Sequence, residues 1–139
     1  MTRKSYACPP NVQAVEHLSD SEFMRLQNRA RIHLCPSSYE GFGHYINEAL
    51  SVGALVITTA SEPMTDLVQP SFGIGVRVRS TSLQHLAQHR HVDPVELAEA
   101  IRAAMSAPAA VIEELGRRSR EAYLSTRDAF HTRVTELLR

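Results

Sequence analysis

The chain has 139 residues, enough for one domain or part of one, and its 43% hydrophobic content suits an ordinary soluble fold. Fifteen Lys and Arg balance fifteen Asp and Glu. With no net field to hold a polyanion, nucleic-acid binding is not expected. The N-terminus, MTRKSYACPP, lacks the apolar core of a signal peptide, and no apolar run approaches the length of a membrane span. Cys8 and Cys35 show no metal or redox spacing, and Cys35 reads as a buried small hydrophobe. A reduced, cytoplasmic chain is expected.

In chain order, the first ten residues are expected to be disordered. NVQAVEHL (Asn11–Leu18) reads as a short strand. SDSEFMRLQNRA follows with Ser19 as N-cap and Glu22 three positions on, a capping box, and Phe23, Leu26 and Ala30 supply an apolar stripe. RIHLCPS is a strand stopped by Pro36. A helix is predicted from about Gly43 to Val52, ended by Gly53. ALVITTA (54–60) is a buried strand by composition. SEPMTDLV gives a short helix with Pro63 in its first turn. GIGVRVRS gives one more strand, and the histidine-bearing stretch STSLQHLAQHRHV reads as a loop. DPVELAEAIRAAMSA is a helix with Asp93 as N-cap and Pro94 at its first position. The last thirty residues read as one or two amphipathic helices. Strands alternating with helices over short connections imply an open α/β fold with a parallel sheet of about four strands. Residues 11–107 would form that domain and 108–139 a helical segment.

Chemistry concentrates in PSSYEGFGHYINEAL (Pro36–Leu50), where a strand gives way to a helix. Open α/β sheets bind ligands outside the carboxyl ends of their strands. Gly41 and Gly43 allow close backbone approach at a helix N-terminus, which favours an anion such as phosphate. His44, Asn47, Glu48 and Ser51 follow helical spacing and form one polar stripe, with Glu40 in the preceding loop. Two carboxylates at different depths suit two sets of hydroxyls on one extended ligand. The same stripe also suits a plain solvated face, with Glu40 complementing the helix dipole.

These residues resemble the nucleotide-sugar half of retaining glycosyltransferases with two Rossmann-like domains, the GT-B enzymes of the group 1, family 4 type. The resemblance rests on Glu40, the seven residues GFGHYIN and Glu48, with Pro36-Ser37, Glu40-Gly41-Phe42-Gly43, Glu48-Ala49-Leu50 and Gly53 around them. It runs from about Asn11 to Asp93. The resemblance implies that Glu40 lies at the donor sugar and is the catalytic candidate. It implies that Gly41, Phe42 and Gly43 present amides to sugar and phosphate, with His44 and Asn47 nearby, and that Glu48 accepts from the ribose hydroxyls. The implied reaction transfers a hexose from a UDP-, GDP- or ADP-sugar with retention, without a bound metal or other cofactor. Fixed donors aimed at the leaving diphosphate would supply most of the rate.

The sequence departs from that family in two ways. The acceptor domain has no counterpart, nor does the early part of the donor domain with its Gly-rich loop and Arg/Lys pair. In a doubly wound sheet the strands at Asn11, Ile32, Ala54 and Gly73 would be numbers 3 to 6, with 1 and 2 absent between the first two. The Asn11 strand must then detach, pair beside its successor, or pair with another chain. A truncated or split donor-binding portion, inactive alone and completed by a second chain, is the expected state. A non-catalytic nucleotide-binding or interaction module is the alternative. His85, His89 and His91 offer metal-ligand spacing only if helical, so no metal site is expected. His33 reads as a satisfied strand residue. Arg117, Arg118 and Arg120, among Glu113, Glu114 and Glu121, read as a solvated face. In the resembled family the final helix reaches back towards the acceptor domain, which implies that the apolar Leu124, Phe130, Val134, Leu137 and Leu138 would need another surface.

Overall fold

The computed structural model describes residues 8–139 apart from Glu16 and Leu86, with Gln84 through its backbone alone. Helix α1 (Asp20–Arg29) starts at the Ser19–Glu22 capping box: Glu22 N–H bonds Ser19 Oγ, and Glu22 accepts from Ser19 N–H at 2.9 Å. Strand β1 (Ile32–Cys35) leads through the Pro36–Gly43 loop into α2 (His44–Ser51). Strand β2 (Leu55–Thr59), α3 (Met64–Leu67) and β3 (Gly73–Val76) follow. β1, β2 and β3 form a parallel sheet in that order. Then come β4 (Val78–Gln84), β5 (Ala87–Val92), α4 (Pro94–Ser106) and the single 29-residue α5 (Ala109–Leu137).

β2 is the centre of the molecule. All five of its residues are buried, as expected for a parallel strand covered on both faces. Its alternation sends Val56 into one cluster with Cys35, Ile46, Ala49, Leu50, Met64, Val68 and Phe72. It sends Leu55 and Ile57 into another with Val76, Ala104 and Ile112. Thr58 and Thr59 end the strand buried but satisfied, their hydroxyls donating to Cys35 O at 2.8 Å and Ser37 O at 2.6 Å. Those two bonds tie the end of β2 to the loop that follows β1.

α5 spans both clusters. Ile112 sits in the second, while Ala122 and Tyr123 pack on the first. Between them Gly116 meets the α2–β2 turn, where a Cβ would run into Gly53 O, and Ser119 Oγ donates to Phe72 O at 3.0 Å. Beyond Tyr123 the helix leaves the core: Phe130, Leu137 and Leu138 are exposed, and Leu124 and Val134 half-buried. The Arg117 and Arg118 pairs with Glu114, and Arg117 with Glu121, lie on the solvated side as expected.

Three expectations are corrected. The described residues of Asn11–Leu18 form no strand, and Val12, Val15 and Leu18 are exposed. A strand needs a neighbour for its N–H and C=O groups, and none of the described strands lies beside this segment. GIGVRVRS is two strands broken at Arg77, whose guanidinium pairs with Glu96 at 2.7 Å. The stretch read as a loop is instead an antiparallel hairpin, β4 with β5. Gln84 faces Ala87, and the two-residue turn opens at His85 with φ 54°. That turn favours Asn-Gly or Asp-Gly, neither of which is present, and both strands are polar, so neither hairpin signal was visible.

Candidate functional site

The Pro36–Gly43 loop is held from below and from the side. Ser37 O takes the Thr59 hydroxyl, and Ser37 Oγ donates to Tyr39 O at 2.7 Å. Arg90 N–H of β5 donates to Ser38 O at 2.8 Å, and the Tyr39 and His89 rings meet at 4.6 Å. The hairpin is therefore a support of this loop, a role that the sequence reading missed.

Glu40 is half-buried, with Oε1 accepting from Gly41 N–H at 3.1 Å and Oε2 from Ser37 Oγ at 3.4 Å. Gly43 caps α2 in the left-handed region, φ 71°, where a Cβ would strike Leu67. It supplies no side-chain cap to the first N–H groups of α2. Asn47 reaches back and donates to Phe42 O and Gly43 O, both at 3.1 Å. Its amide thus fixes the turn that aims the loop. His44 and Phe42 lie with ring centroids 4.8 Å apart. Glu48 is exposed one turn inside the helix, and Gln27 of α1 donates to its Oε2 at 2.9 Å. The polar stripe is real, and Ile46, Ala49 and Leu50 on the other side are buried.

A cleft of about 550 Å³ opens on this stripe. Gly41, Phe42, His44, Asn47, Glu48 and Ser51 form one wall, and α3 contributes Asp66 and Leu67. The far wall is α5, through Tyr123, Thr126, Arg127 and Phe130. Five of the seven sequence-derived site residues thus line one cavity. The buried Gly43 and the half-buried Glu40 are not part of its lining. The α5 wall lay outside the reading because nothing in an amphipathic stripe says which element it meets.

Cys35, at the end of β1, has its thiol pushed up to about 12, first by burial and second by the charge of Glu40. It stays protonated and inert. Burial also raises the Tyr45 hydroxyl. His33 Nε2 lies 3.2 Å from Gln27 O, a satisfied strand residue. His85, His89 and His91 do not lie on a helix, so the spacing that would have joined His85 to His89 is not realised. Among the described residues, no group of three or more His, Cys, Asp or Glu is placed to hold a metal ion. None of their helices is long and apolar enough to cross a membrane.

The family model for glycosyl transferases, group 1, matches residues 3–122, most of the 139-residue chain. The chain belongs to that family. A comparison with curated proteins finds no match. The family's chemistry is glycosyl transfer, and the α/β architecture with its parallel three-stranded sheet and long C-terminal helix agrees with part of a GT-B donor-binding domain.

Proposed function

We propose that this chain is the donor-binding portion of a retaining glycosyltransferase that takes a hexose from a nucleotide-diphosphate sugar. One observation carries the reading: the Gly41–Gly43 loop, the open N-terminus of α2 and Glu48 meet at the carboxyl end of β1 and face one cleft. In this reading the loop amides and the α2 dipole take the diphosphate. Glu48, steadied by Gln27, accepts from ribose hydroxyls. Glu40 sits at the sugar, and developing charge on the leaving diphosphate is met by donors fixed in advance. No metal or cofactor enters the scheme.

A second reading, a nucleotide-binding module without catalysis, is favoured by Glu40, which is turned onto Gly41 N–H and lies outside the lining of the cleft. Titration with UDP, GDP and ADP tests both. One of the three should bind, and Glu48→Ala should weaken it roughly tenfold to a hundredfold, the worth of a charge-assisted hydrogen bond. Absence of binding to all three by folded protein would remove both readings. Slow hydrolysis of the matching nucleotide sugar, lost in Glu40→Gln while nucleotide binding persists, separates the first from the second.

A further inference from the structure

The hairpin carries a feature that the donor site does not use. His89 and His91 are two apart on β5 and so project from one face. Their rings stack, with centroids 6.4 Å apart and planes within 29°. Opposite them on β4 stand only two small hydroxyls, Ser82 facing His89 and Ser80 facing His91. Arg90, between them in sequence, belongs to the other face and donates its backbone N–H to Ser38.

We propose that His89 and His91 chelate a borderline divalent transition ion, Cu²⁺ most tightly and Ni²⁺ or Zn²⁺ less so. Imidazole suits these ions, and their order follows from the general ranking of such sites. With metal–nitrogen bonds of about 2.0 Å, a chelate at about 90–110° brings the ring centroids to roughly 4.5–5 Å, so side-chain rotation must draw the stacked rings together from 6.4 Å and turn one nitrogen of each to a common point. Ser82 Oγ lies 2.9 Å from His91 Nε2. With Ser82 accepting, His91 holds its proton on Nε2 and presents the Nδ1 lone pair to the ion. Ligating histidines are commonly oriented by such a bond to an oxygen. Water fills the remaining positions, so two protein ligands suffice where a closed structural site would need four. Capture also fixes the His89 ring, which packs on Tyr39 beside Glu40. This proposal stands whether or not the cleft binds a nucleotide.

The test is titration of the whole chain with CuCl₂ near neutral pH, read by calorimetry and by electron paramagnetic resonance. Wild type should bind one equivalent with two imidazole nitrogens in the copper spectrum. His89→Asn and His91→Asn should each lose one nitrogen and more than about tenfold in affinity, and Ser82→Ala about tenfold with both nitrogens kept. His85→Asn and His44→Asn should match wild type. Ser82 and His91 are exposed, so those variants keep the fold, which circular dichroism verifies. Equal binding by wild type and His91→Asn, or a loss that follows His85→Asn or His44→Asn instead, would overturn the proposal.

Discussion

Helix α1 carries a full set of local start signals and α2 almost none, yet α2 is the one that builds the core. α1 has its capping box, acidic residues in the first turn and Arg29 in the last, and buries no residue. Phe23 and Leu26 of its apolar stripe stay exposed, as does Met24. α2 begins at a glycine without a side-chain cap and has no acidic residue in its first turn and no basic residue in its last. It buries Ile46, Ala49 and Leu50 against the sheet and α5. Capping decides where a helix starts, at about 1 kcal/mol per cap. Burial of an apolar face, at about 1.5–3 kcal/mol for each large side chain, decides whether the helix is part of the fold. The start of α2 also leaves its first N–H groups without the side-chain acceptor that a Ser or Asp N-cap supplies.

The difference can be broken from either side. Ile46→Ala should cost about 2–5 kcal/mol in global stability, measured by urea denaturation, because the side chain is fully buried. A loss below about 1 kcal/mol would mean that α2 is not the core helix. Ser19→Ala should cost about 1 kcal/mol, confined to α1. Amide exchange over Asp20–Arg29 should then speed up about fivefold while the β2 amides are unchanged. Acceleration in β2 as well would show α1 coupled to the core.

The smallest effect is in acid. Hydrogen bonds from the Ser19 side chain and backbone hold the Glu22 carboxyl below its usual 4.5. A depressed carboxylate contributes stability that is fully present above the ordinary value and is lost as pH falls through the lowered one. α1 should therefore fray below about pH 4.5, followed by carbon chemical shifts at residues 20–23. α2, with no acidic residue in its first turn, should show no matching transition.

The two regions also differ in how far the sequence disclosed them. The elements from Ile32 to Leu67 were legible because each bears a local signal: a short apolar run stopped by Pro36 for β1, a β-branched run for β2, Gly53 after α2, Pro63 before α3. Most of the candidate site was legible for the same reason, since a glycine loop running into a polar helical stripe is a contiguous pattern. The hairpin was not, because its turn uses His85 where Asn or Gly is usual, and its polar strands give no alternation. The apolar residues of Asn11–Leu18 suggested a strand, but a strand exists only with a partner.

The sequence by itself determined the helix starts at Ser19 and Asp93, the buried run of β2, the polar stripe of α2 and the motif from Glu40 to Glu48. These follow from spacing along the chain, which local sterics and hydrogen bonding convert directly into structure. Only the tertiary structure decided that α5 walls the cleft, that Gly116 seats on Gly53, that Gln27 holds Glu48 and that β5 props the Ser38–Tyr39 backbone. Each of these joins residues at least 20 positions apart. Such contacts depend on how whole elements pack, and neither propensity nor periodicity encodes which faces meet.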